Sequence, residues 1–425
     1  MRNVVLLIVI FTTVMMAGCK KTKRDLPIAE KLPNNRDLSI TEELPTKRDL
    51  PIAEKLPKLH VMFPRDISDL HQALEQLADG GVLTIQKGTH RIDQPLKIDR
   101  NIQLIGETGD PEDAIIESTG EACLIVSAEN ARVEGLTLKT TEDKKKATVL
   151  IIQGQSTLYQ CNITFMGSIA PTGRCGLVVY GNSTNPTLTF CKVFNCQGVG
   201  ISVWQGGKGT FNNCEVYGNA KTGIEVQNNG NPNVTGCKFY NNKKTGIAVY
   251  QGGKGMFDNC EVYGNVNAGI QVSDNCDPKV SDCKLFDNEG VGIAVTQRGK
   301  GMFDRCEVYG NTFSGIDVVG ESNPKFTGCK FYDNKQTGIV VRQGGKGTFD
   351  DCNVSGNVMT GILVQEDGDP MIRNCTIRNN TQGGIIILEK GRGSYEQNTL
   401  SGNRGGNWKL KNPGTFQRTG NTPNE

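Results

Sequence analysis

Three residue types recur every 23 residues along most of the chain. Gly-Ile pairs, cysteines and asparagines each occur nine times in this register, with no insertion or deletion between copies. The glycines of the Gly-Ile pairs are Gly200, Gly223, Gly246, Gly269, Gly292, Gly315, Gly338, Gly361 and Gly384. The cysteines are Cys191, Cys214, Cys237, Cys260, Cys283, Cys306, Cys329, Cys352 and Cys375. The asparagines are Asn219, Asn242, Asn265, Asn288, Asn311, Asn334, Asn357, Asn380 and Asn403. Such a series requires a solenoid, because each unit can bury its apolar face only against its neighbours.

Each unit consists of short runs in which apolar residues alternate with polar ones. In one unit Ile224 and Val226 form the first run, Val234 lies in the second, and Cys237 and Phe239 form the third. Gly, Asn and Pro separate the runs, and no stretch shows a sustained period of 3.6 residues. The pattern predicts three short strands and three turns per coil, which is an all-β parallel β-helix. The isoleucines, the cysteines and a Phe/Val series then form inward columns, and the asparagines lie in turns.

Alternate units differ at their surface positions, so the full repeat is 46 residues. Gln-Gly-Gly-Lys-Gly starts at Gln205, Gln251 and Gln343, whereas the units between them carry Asn-Pro or Asp-Pro. One row reads, coil by coil, Lys192, Glu215, Lys238, Glu261, Lys284, Glu307 and Lys330. Opposite charges about 4.8 Å apart on neighbouring strands attract each other, whereas like charges repel. The alternation therefore predicts that this row fixes the register of the coils.

The repeats resemble those of known β-helical proteins. The Gly-Ile strands, the asparagine row and the inward columns resemble the right-handed parallel β-helix of the pectin-lyase-like superfamily, over roughly residues 80–403. The paired coils, as in GIEVQNNGNPNVTGCKFYNNKKTGIAVYQGGKGMFDNCEVYGN, are similar to the repeats of F-box proteins that carry a carbohydrate-binding-and-sugar-hydrolysis domain. They are also similar to the coils of uncharacterised bacterial β-helix lipoproteins. No F-box is apparent, so substrate-receptor function is not expected.

The resemblance implies caps at both ends, because an open coil is an exposed sheet edge. We predict the β-helix over residues 83–403, an N-terminal cap over 58–82 and a C-terminal cap over 404–425. The segment Ile67–Ala78 is expected to be a short capping helix, with Ile67, Leu70, Leu74 and Leu77 on one face.

The N-terminus, MRNVVLLIVIFTTVMMAGC, is typical of an export signal. The apolar run Val4–Met16 has 13 residues, too few to span a bilayer comfortably. The motif Met-Ala-Gly-Cys that ends at Cys19 is similar to the lipobox of bacterial lipoproteins. This resemblance implies a signal peptide over residues 1–18 and a lipid on Cys19. An ordinary secretory signal with an incidental cysteine is the alternative.

Residues 19–57 are predicted to be a tether between the lipid anchor and the β-helix. They contain three 12-residue units, TKRDLPIAEKLP, NNRDLSITEELP and TKRDLPIAEKLP. Their prolines disfavour helix, so a semi-extended linker is expected. A repeated partner-binding motif is the alternative. Lys20 after Cys19, in place of Asp, favours the outer membrane, so we predict a lipid-anchored protein of the bacterial cell envelope.

Composition narrows the partners and cofactors. A formal net charge of +2 gives no reason to expect nucleic acid. The chain has 15 cysteines, but nine of them follow strand periodicity at apolar positions. We therefore predict buried free thiols in that series rather than disulfides or thiolate metal ligands. No motif with diagnostic metal-ligand spacing occurs, so no metal and no cofactor are expected.

One candidate ligand site lies on the outward positions of the Gly-Ile strands. Trp204 and Tyr250 are two coils apart, about 10 Å, which matches the length of two sugar rings. With Glu225, Gln227 and Gln271 they form a predicted glycan-binding face: rings for stacking, and carboxylate and amide groups for hydroxyls. The alternative is that the aromatic residues pack beneath a loop.

A candidate catalytic cluster occupies later coils. Asp317, Glu321, Arg342, Glu366 and Asp367 fall within three successive coils and could converge. Pectin-lyase-like enzymes use carboxylates with Ca²⁺ and an Arg or Lys base, or clustered Asp residues for hydrolysis. A solvated acidic edge of the turns is the alternative to an active site.

The leading prediction is an extracytoplasmic lipoprotein whose β-helix is a non-catalytic surface for a glycan or an envelope protein. The first alternative is a polysaccharide lyase, hydrolase or epimerase, and Ca²⁺ is expected only under its lyase form. The second is a structural spacer of the envelope. Nine coils without an insertion leave little room for the loops that wall an enzyme cleft, which favours binding. The membrane, through the lipid anchor, is the other predicted partner, and the protein is expected to be a monomer.

Overall fold

The computed structural model describes residues 58–141, 147–166 and 175–423. The predicted signal peptide, Cys19 and the tether lie outside these residues. The described part is a parallel β-solenoid in which each coil adds one strand to each of three sheets, so the predicted fold class is confirmed. The chain passes from sheet I to sheet II to sheet III and back to sheet I in the next coil.

Sheet I has 16 strands and contains the inward Phe/Val series. Its strands are Lys58–Phe63, Leu77–Ile85, Gln103–Gly106, Arg132–Glu134, Thr157–Tyr159, Thr187–Thr189, Thr210–Asn212, Asn233–Thr235, Met256–Asp258, Lys279–Ser281, Met302–Asp304, Lys325–Thr327, Thr348–Asp350, Met371–Arg373, Gly393–Glu396 and Phe416–Thr419.

Sheet II has 14 strands and contains the row of alternating charges. Its strands are Gly88–Ile92, Ala114–Ser118, Thr137–Thr140, Asn162–Phe165, Lys192–Phe194, Glu215–Tyr217, Lys238–Tyr240, Glu261–Tyr263, Lys284–Phe286, Glu307–Tyr309, Lys330–Tyr332, Asn353–Ser355, Thr376–Arg378 and Thr399–Ser401.

Sheet III has 14 strands and contains the Gly-Ile strands. Its strands are Leu96–Ile98, Leu124–Val126, Ala147–Ile151, Cys175–Tyr180, Val199–Trp204, Ile224–Val226, Ile247–Val249, Ile270–Val272, Ile293–Val295, Ile316–Val319, Ile339–Arg342, Thr360–Val364, Gly383–Leu388 and Trp408–Lys411.

The sheets extend beyond the predicted limits of the β-helix at both ends. Lys58–Phe63 pairs with Leu77–Ile85, and Phe416–Thr419 closes sheet I at the other end. A six-residue helix, Leu70–Glu75, lies inside the segment predicted to be helical. The prediction was wrong for Leu77, which starts a strand because its backbone pairs with Lys58. No helix of the described residues is long and apolar enough to cross a membrane.

The asparagine row is a buried ladder between sheets II and III. The side-chain amide of Asn311 donates to Asn334 Oδ1 at 3.0 Å and to the backbone carbonyls of Leu285 and Tyr309 at 3.1 and 3.0 Å. Asn311 Oδ1 in turn accepts from the backbone and side-chain nitrogens of Asn288. The ladder satisfies turn groups that would otherwise be buried without partners, and so permits tight turns.

The cysteine column lies between sheets I and II, and all fourteen cysteines of the described residues are buried and free. Its thiols donate to backbone carbonyls, as Cys237 does to Phe211 at 3.4 Å. Cys161, which falls outside the 23-residue register, also belongs to the column, because its coil aligns with that of Cys191. Asn398 and Asn421 continue the same position in the last coils.

The row of alternating charges has the predicted register. Lys238 Nζ lies 3.1 Å from Glu261 Oε2, and Lys330 Nζ lies 2.9 Å from Glu307 Oε1. These pairs are solvent-exposed and each contributes only about 0–1 kcal/mol. The pairs mainly specify the register of the coils, because a slip of one coil would place Lys beside Lys along the row.

Candidate functional site

The outer surface of sheet III carries the predicted ligand residues. We define the aromatic face as Tyr180, Trp204, Glu225, Gln227 and Tyr250, which lie on four successive coils. Tyr180 is paired in register with Trp204, and their rings meet edge to face with centroids 5.0 Å apart. Tyr180 is 39% exposed, and Trp204, Glu225, Gln227 and Tyr250 are half-buried. The face is therefore partly preformed and still open to solvent.

Trp204 is held from below by a small apolar cluster on the same outer surface. Ala147, Cys175, Val178 and Val199 form this cluster, and Trp204 packs against it. Packing fixes the indole without covering it, since part of the ring remains accessible. Trp204 therefore has a packing role on this surface. That role is compatible with ligand binding, because a ring that is already fixed loses little conformational entropy when a ligand stacks on it.

Tyr250 and Glu225 form a hydrogen-bonded pair at the centre of the face. The phenol of Tyr250 donates to Glu225 Oε2 at 2.9 Å. Burial raises the pKa of Tyr250 well above its ordinary value, and the charge of Glu225 raises it further. The phenol therefore stays protonated at neutral pH. The second carboxylate oxygen of Glu225 can accept a hydrogen bond from a ligand hydroxyl.

Gln227 and Gln271 supply amides on either side of this pair. The backbone nitrogen of Gln227 donates to Val203 and that of Tyr250 to Val226, which places Gln227 between Trp204 and Tyr250 in one row. Gln271 follows Ala248 in the row of Glu225 and is half-buried. Each amide offers both donors and an acceptor. Tyr180 was missed at the sequence level because 24 residues, rather than 23, separate it from Trp204.

The predicted catalytic cluster is only partly brought together. Arg342 donates to both oxygens of Asp317, from Nε at 3.1 Å and from Nη2 at 2.8 Å. The side chains are 8% and 21% exposed, respectively. Burial disfavours the charged guanidinium, but the charge and hydrogen bonds of Asp317 outweigh it and raise the pKa of Arg342. Arg342 is therefore a fixed cation and hydrogen-bond donor, and it does not have the properties of a general base.

The other three residues of this cluster lie on the turn that follows sheet III. Glu366 is close enough for its charge to act on Arg342. Glu321 pairs with Arg298 at 3.1 Å, and Asp367 pairs with Arg392 at 2.9 Å. Both of these pairs are exposed. The structure thus joins Asp317 to Arg342, with Glu366 nearby, and places Glu321 and Asp367 in separate surface ion pairs.

A shallow groove of about 700 Å³ runs along the same turns. Its walls alternate in charge from coil to coil, so acidic and basic groups neutralise one another along its length. It is lined by Asn275, Arg298, Lys300, Glu321, Asn323, Gly344, Lys346, Asp367, Asp369 and Arg392. No group of three or more His, Cys, Asp or Glu residues in the described ranges could hold a metal ion.

Sheet II carries a different outward feature, a row of seven stacked rings. We call it the ring stack, and neighbouring centroids lie 4.7 to 5.2 Å apart with nearly parallel planes. Its members are Phe194, Tyr217, Tyr240, Tyr263, Phe286, Tyr309 and Tyr332. The ring spacing equals the strand spacing, so each ring is stabilised by its neighbours in the adjacent coils.

Comparison with known proteins supports the fold. The family described as "Right handed beta helix region" matches residues 175–323 and 278–422, together more than half of the chain. No curated protein matches the sequence. A variant of the periplasmic alginate epimerase AlgG has 13% identity and a TM-score of 0.51, covering 86% of this chain and 83% of that chain.

Two further solved structures are similar to the chain. The A-module of the Azotobacter vinelandii mannuronan C-5 epimerase AlgE6 has 14% identity and a TM-score of 0.47, covering 81% of this chain and 91% of that one. The catalytic unit of a GH87 α-1,3-glucanase from Streptomyces thermodiastaticus has 14% identity and a TM-score of 0.49, covering 83% and 64%. At such identities the likeness is one of fold.

Proposed function

Because the chain belongs to the right-handed β-helix family, whose activities differ from member to member, we propose a function from the site itself: the protein binds a polysaccharide along the aromatic face of sheet III. AlgG is an alginate epimerase, and alginate is a polysaccharide. This supports the class of ligand. The residues that we expect to contact it are those of the aromatic face together with Gln271.

The observation that carries the proposal is the arrangement of rings and polar groups over four coils. Trp204 and Tyr250 are two coils apart, about 9.6 Å, so two sugar rings can stack on them in succession. Tyr180 extends the apolar surface by one coil beyond Trp204. Between the rings, Glu225 and Gln227 can bond to sugar hydroxyls. Apolar surface with a few placed polar groups is typical of small-ligand sites.

Binding without catalysis is favoured by the partners of the acidic groups. Glu225 already accepts a hydrogen bond from Tyr250, and Asp317 is engaged at both oxygens by Arg342. An acid or base needs a free group within reach of the reacting atom. A polysaccharide-active enzyme remains the second candidate, and the feature that favours it is Arg342, a nearly buried cation on the outer side of sheet III.

A panel of immobilised polysaccharides identifies a ligand, and calorimetry with the purified protein then measures its affinity. Trp204→Ala should weaken binding at least tenfold, about 1.4 kcal/mol, whereas the matched control Tyr263→Ala, in the ring stack of sheet II, should leave it unchanged. Equal affinity of the Trp204→Ala protein and the wild type would rule out the aromatic face. Product formation that is lost in Arg342→Lys would instead favour the enzyme.

The proposed location is the cell envelope, with a lipid on Cys19. The basis is the N-terminal sequence, in which an apolar run ends at Met-Ala-Gly-Cys. Wild-type protein expressed in a bacterium should incorporate labelled palmitate and sediment with membranes, and Cys19→Ala should do neither. Palmitate labelling that persists in Cys19→Ala would contradict the anchor.

A further inference from the structure

The ring stack of sheet II ends differently at its two ends. At the N-terminal end, Phe194 is paired in register with Thr164 of the preceding coil, and Thr164 is buried. At the C-terminal end Tyr332 is paired in register with Ser355, a small, half-buried residue. Among the described residues, therefore, only Tyr309 stacks on the Tyr332 ring, and no ring packs against its other face.

Beyond Ser355, the same outward row continues with Arg378. The strands pair Ser355 with Arg378, so Tyr332 and Arg378 are two coils apart, about 9.6 Å. The Arg378 side chain is exposed. Rings within the stack are 4.7 to 5.2 Å apart, so the space above Ser355 has the thickness of one more ring. We call this space the stack-end slot.

The residues beside the slot differ from those along the rest of the charged row. Lys330 and then Asn353 occupy the two positions of that row nearest the slot. The glutamate that would follow Lys330 in the alternation is therefore replaced by the uncharged Asn353. The ammonium of Lys330 donates one hydrogen bond to Glu307, at 2.9 Å, and has two further N–H donors.

The stack itself shows where the hydroxyl of a ring in the slot would lie. Tyr240 and Tyr332 each donate to the glutamate of the preceding coil, Glu215 at 2.8 Å and Glu307 at 3.1 Å. A phenol above Ser355 would, by the same geometry, bring its oxygen beside Lys330 of the preceding coil and Asn353 of its own. This oxygen could accept a hydrogen bond from the ammonium of Lys330.

We infer that the stack-end slot binds a single phenol ring, stacked on Tyr332 and covered by Arg378. A guanidinium within about 6 Å of a ring is attracted to its face, so Arg378 completes a sandwich that the stack begins. The ring comes either from a small phenolic molecule or from a tyrosine side chain. This binding is independent of the polysaccharide proposed for sheet III.

The test is an NMR titration of the full protein with N-acetyl-tyrosinamide, N-acetyl-phenylalaninamide and 4-methylphenol. The tyrosine amide should bind with a dissociation constant of about 1 mM, and the phenylalanine amide at least fivefold more weakly, because it lacks the hydroxyl. Equal affinity of 4-methylphenol and the tyrosine amide supports a small-molecule ligand. Tighter binding of the amide supports a tyrosine side chain. Equal binding of the phenylalanine and tyrosine amides overturns the inference.

Substitutions that fill or remove the slot distinguish it from nonspecific contact. Ser355→Tyr should fill the slot, abolish binding and raise the thermal midpoint, because it extends the stack by one ring. Thr235→Tyr, at an exposed outward position of sheet I, should leave binding unchanged. If Ser355→Tyr does not fold, Tyr332→Leu should lose binding whereas Tyr263→Leu, inside the stack, should retain it. Unchanged binding in Ser355→Tyr or Tyr332→Leu overturns the inference.

Discussion

Removal of one rung of the asparagine ladder tests whether the ladder is a main source of stability. Asn311→Leu keeps the branched shape and the number of heavy atoms of the side chain but deletes all of its hydrogen bonds. Two of these are accepted from Asn288, and the two amide N–H groups share three acceptors on Leu285, Tyr309 and Asn334. The backbone N–H of Asn288, which donates to Asn311 Oδ1, loses that acceptor inside the protein.

The structure sets the expected magnitude. Each neutral hydrogen bond contributes about 1 kcal/mol net, so the two accepted bonds and the two amide N–H groups together contribute about 4 kcal/mol. Burial of the leucine side chain recovers about 1.5 to 3 kcal/mol. A buried N–H without a partner costs a further 1 to 3 kcal/mol or so. We therefore expect a loss of about 2 to 5.5 kcal/mol in the free energy of unfolding.

Urea unfolding followed by circular dichroism measures the change, and hydrogen exchange locates it. Exchange should accelerate first in the coils of Asn288 and Asn334, because neighbouring repeats stabilise one another. The control is Asn233→Leu, on the exposed surface of sheet I, where less than about 0.5 kcal/mol is expected. A loss below about 1 kcal/mol in Asn311→Leu would refute the reasoning.

Three further predictions concern thiols, a buried charge and acid sensitivity. All described cysteines are buried, and burial raises the pKa of Cys123 to about 12. The Cys19→Ser protein should therefore show no thiol labelling at pH 8 until it is denatured. Rapid labelling of the native protein would contradict the buried column. Asp317→Asn should destabilise the protein by about 3 kcal/mol, because it leaves Arg342 without its counter-ion. Glu321→Gln, in an exposed pair, should cost less than about 1 kcal/mol. Similar losses of the two variants in urea unfolding would contradict the difference in burial. The hydrogen bond from Lys139 outweighs burial and lowers the pKa of Glu117 below its ordinary value of 4.5. The ion pair of Glu117 therefore stabilises the folded protein above pH 4.5, and this stabilisation is lost as the pH falls through the lowered pKa of the folded state. Glu117→Gln should therefore destabilise most at pH 7 and progressively less as the pH is lowered below 4.5, and a loss that does not change with pH would contradict the assignment.

The fold could be predicted because the repeat leaves few solutions. A 23-residue unit with three alternating runs can bury its apolar residues only by stacking, which determined the three sheets and the asparagine ladder. Features outside that register could not be found in this way. Cys161 is 30 residues from Cys191, so its membership of the column became visible only when strand pairing aligned their coils. Tyr180 was missed for the same reason.

The site was harder to predict, because side-chain partners do not follow from spacing alone. The sequence places Asp317 and Arg342 on the same outer surface, but their two hydrogen bonds and the burial of Arg342 depend on side-chain conformation. The same holds for the bond from Tyr250 to Glu225. Spacing also suggested that Glu321 and Asp367 join the cluster. Each turns instead to the arginine of a neighbouring coil, because such a contact keeps both charges in water.

The fluorescence of Trp204 tests the proposed polysaccharide face most directly. The chain has two tryptophans, and the other, Trp408, packs against Tyr395 near the C-terminal end of the solenoid. In Trp408→Phe, Trp204 is the sole reporter, and in Trp204→Phe it is absent. We predict that a bound polysaccharide shifts the emission of Trp408→Phe to shorter wavelength, and that it leaves the emission of Trp204→Phe unchanged. Saturating polysaccharide that binds by calorimetry and leaves the emission of Trp204 unaltered would contradict the aromatic face as the binding site.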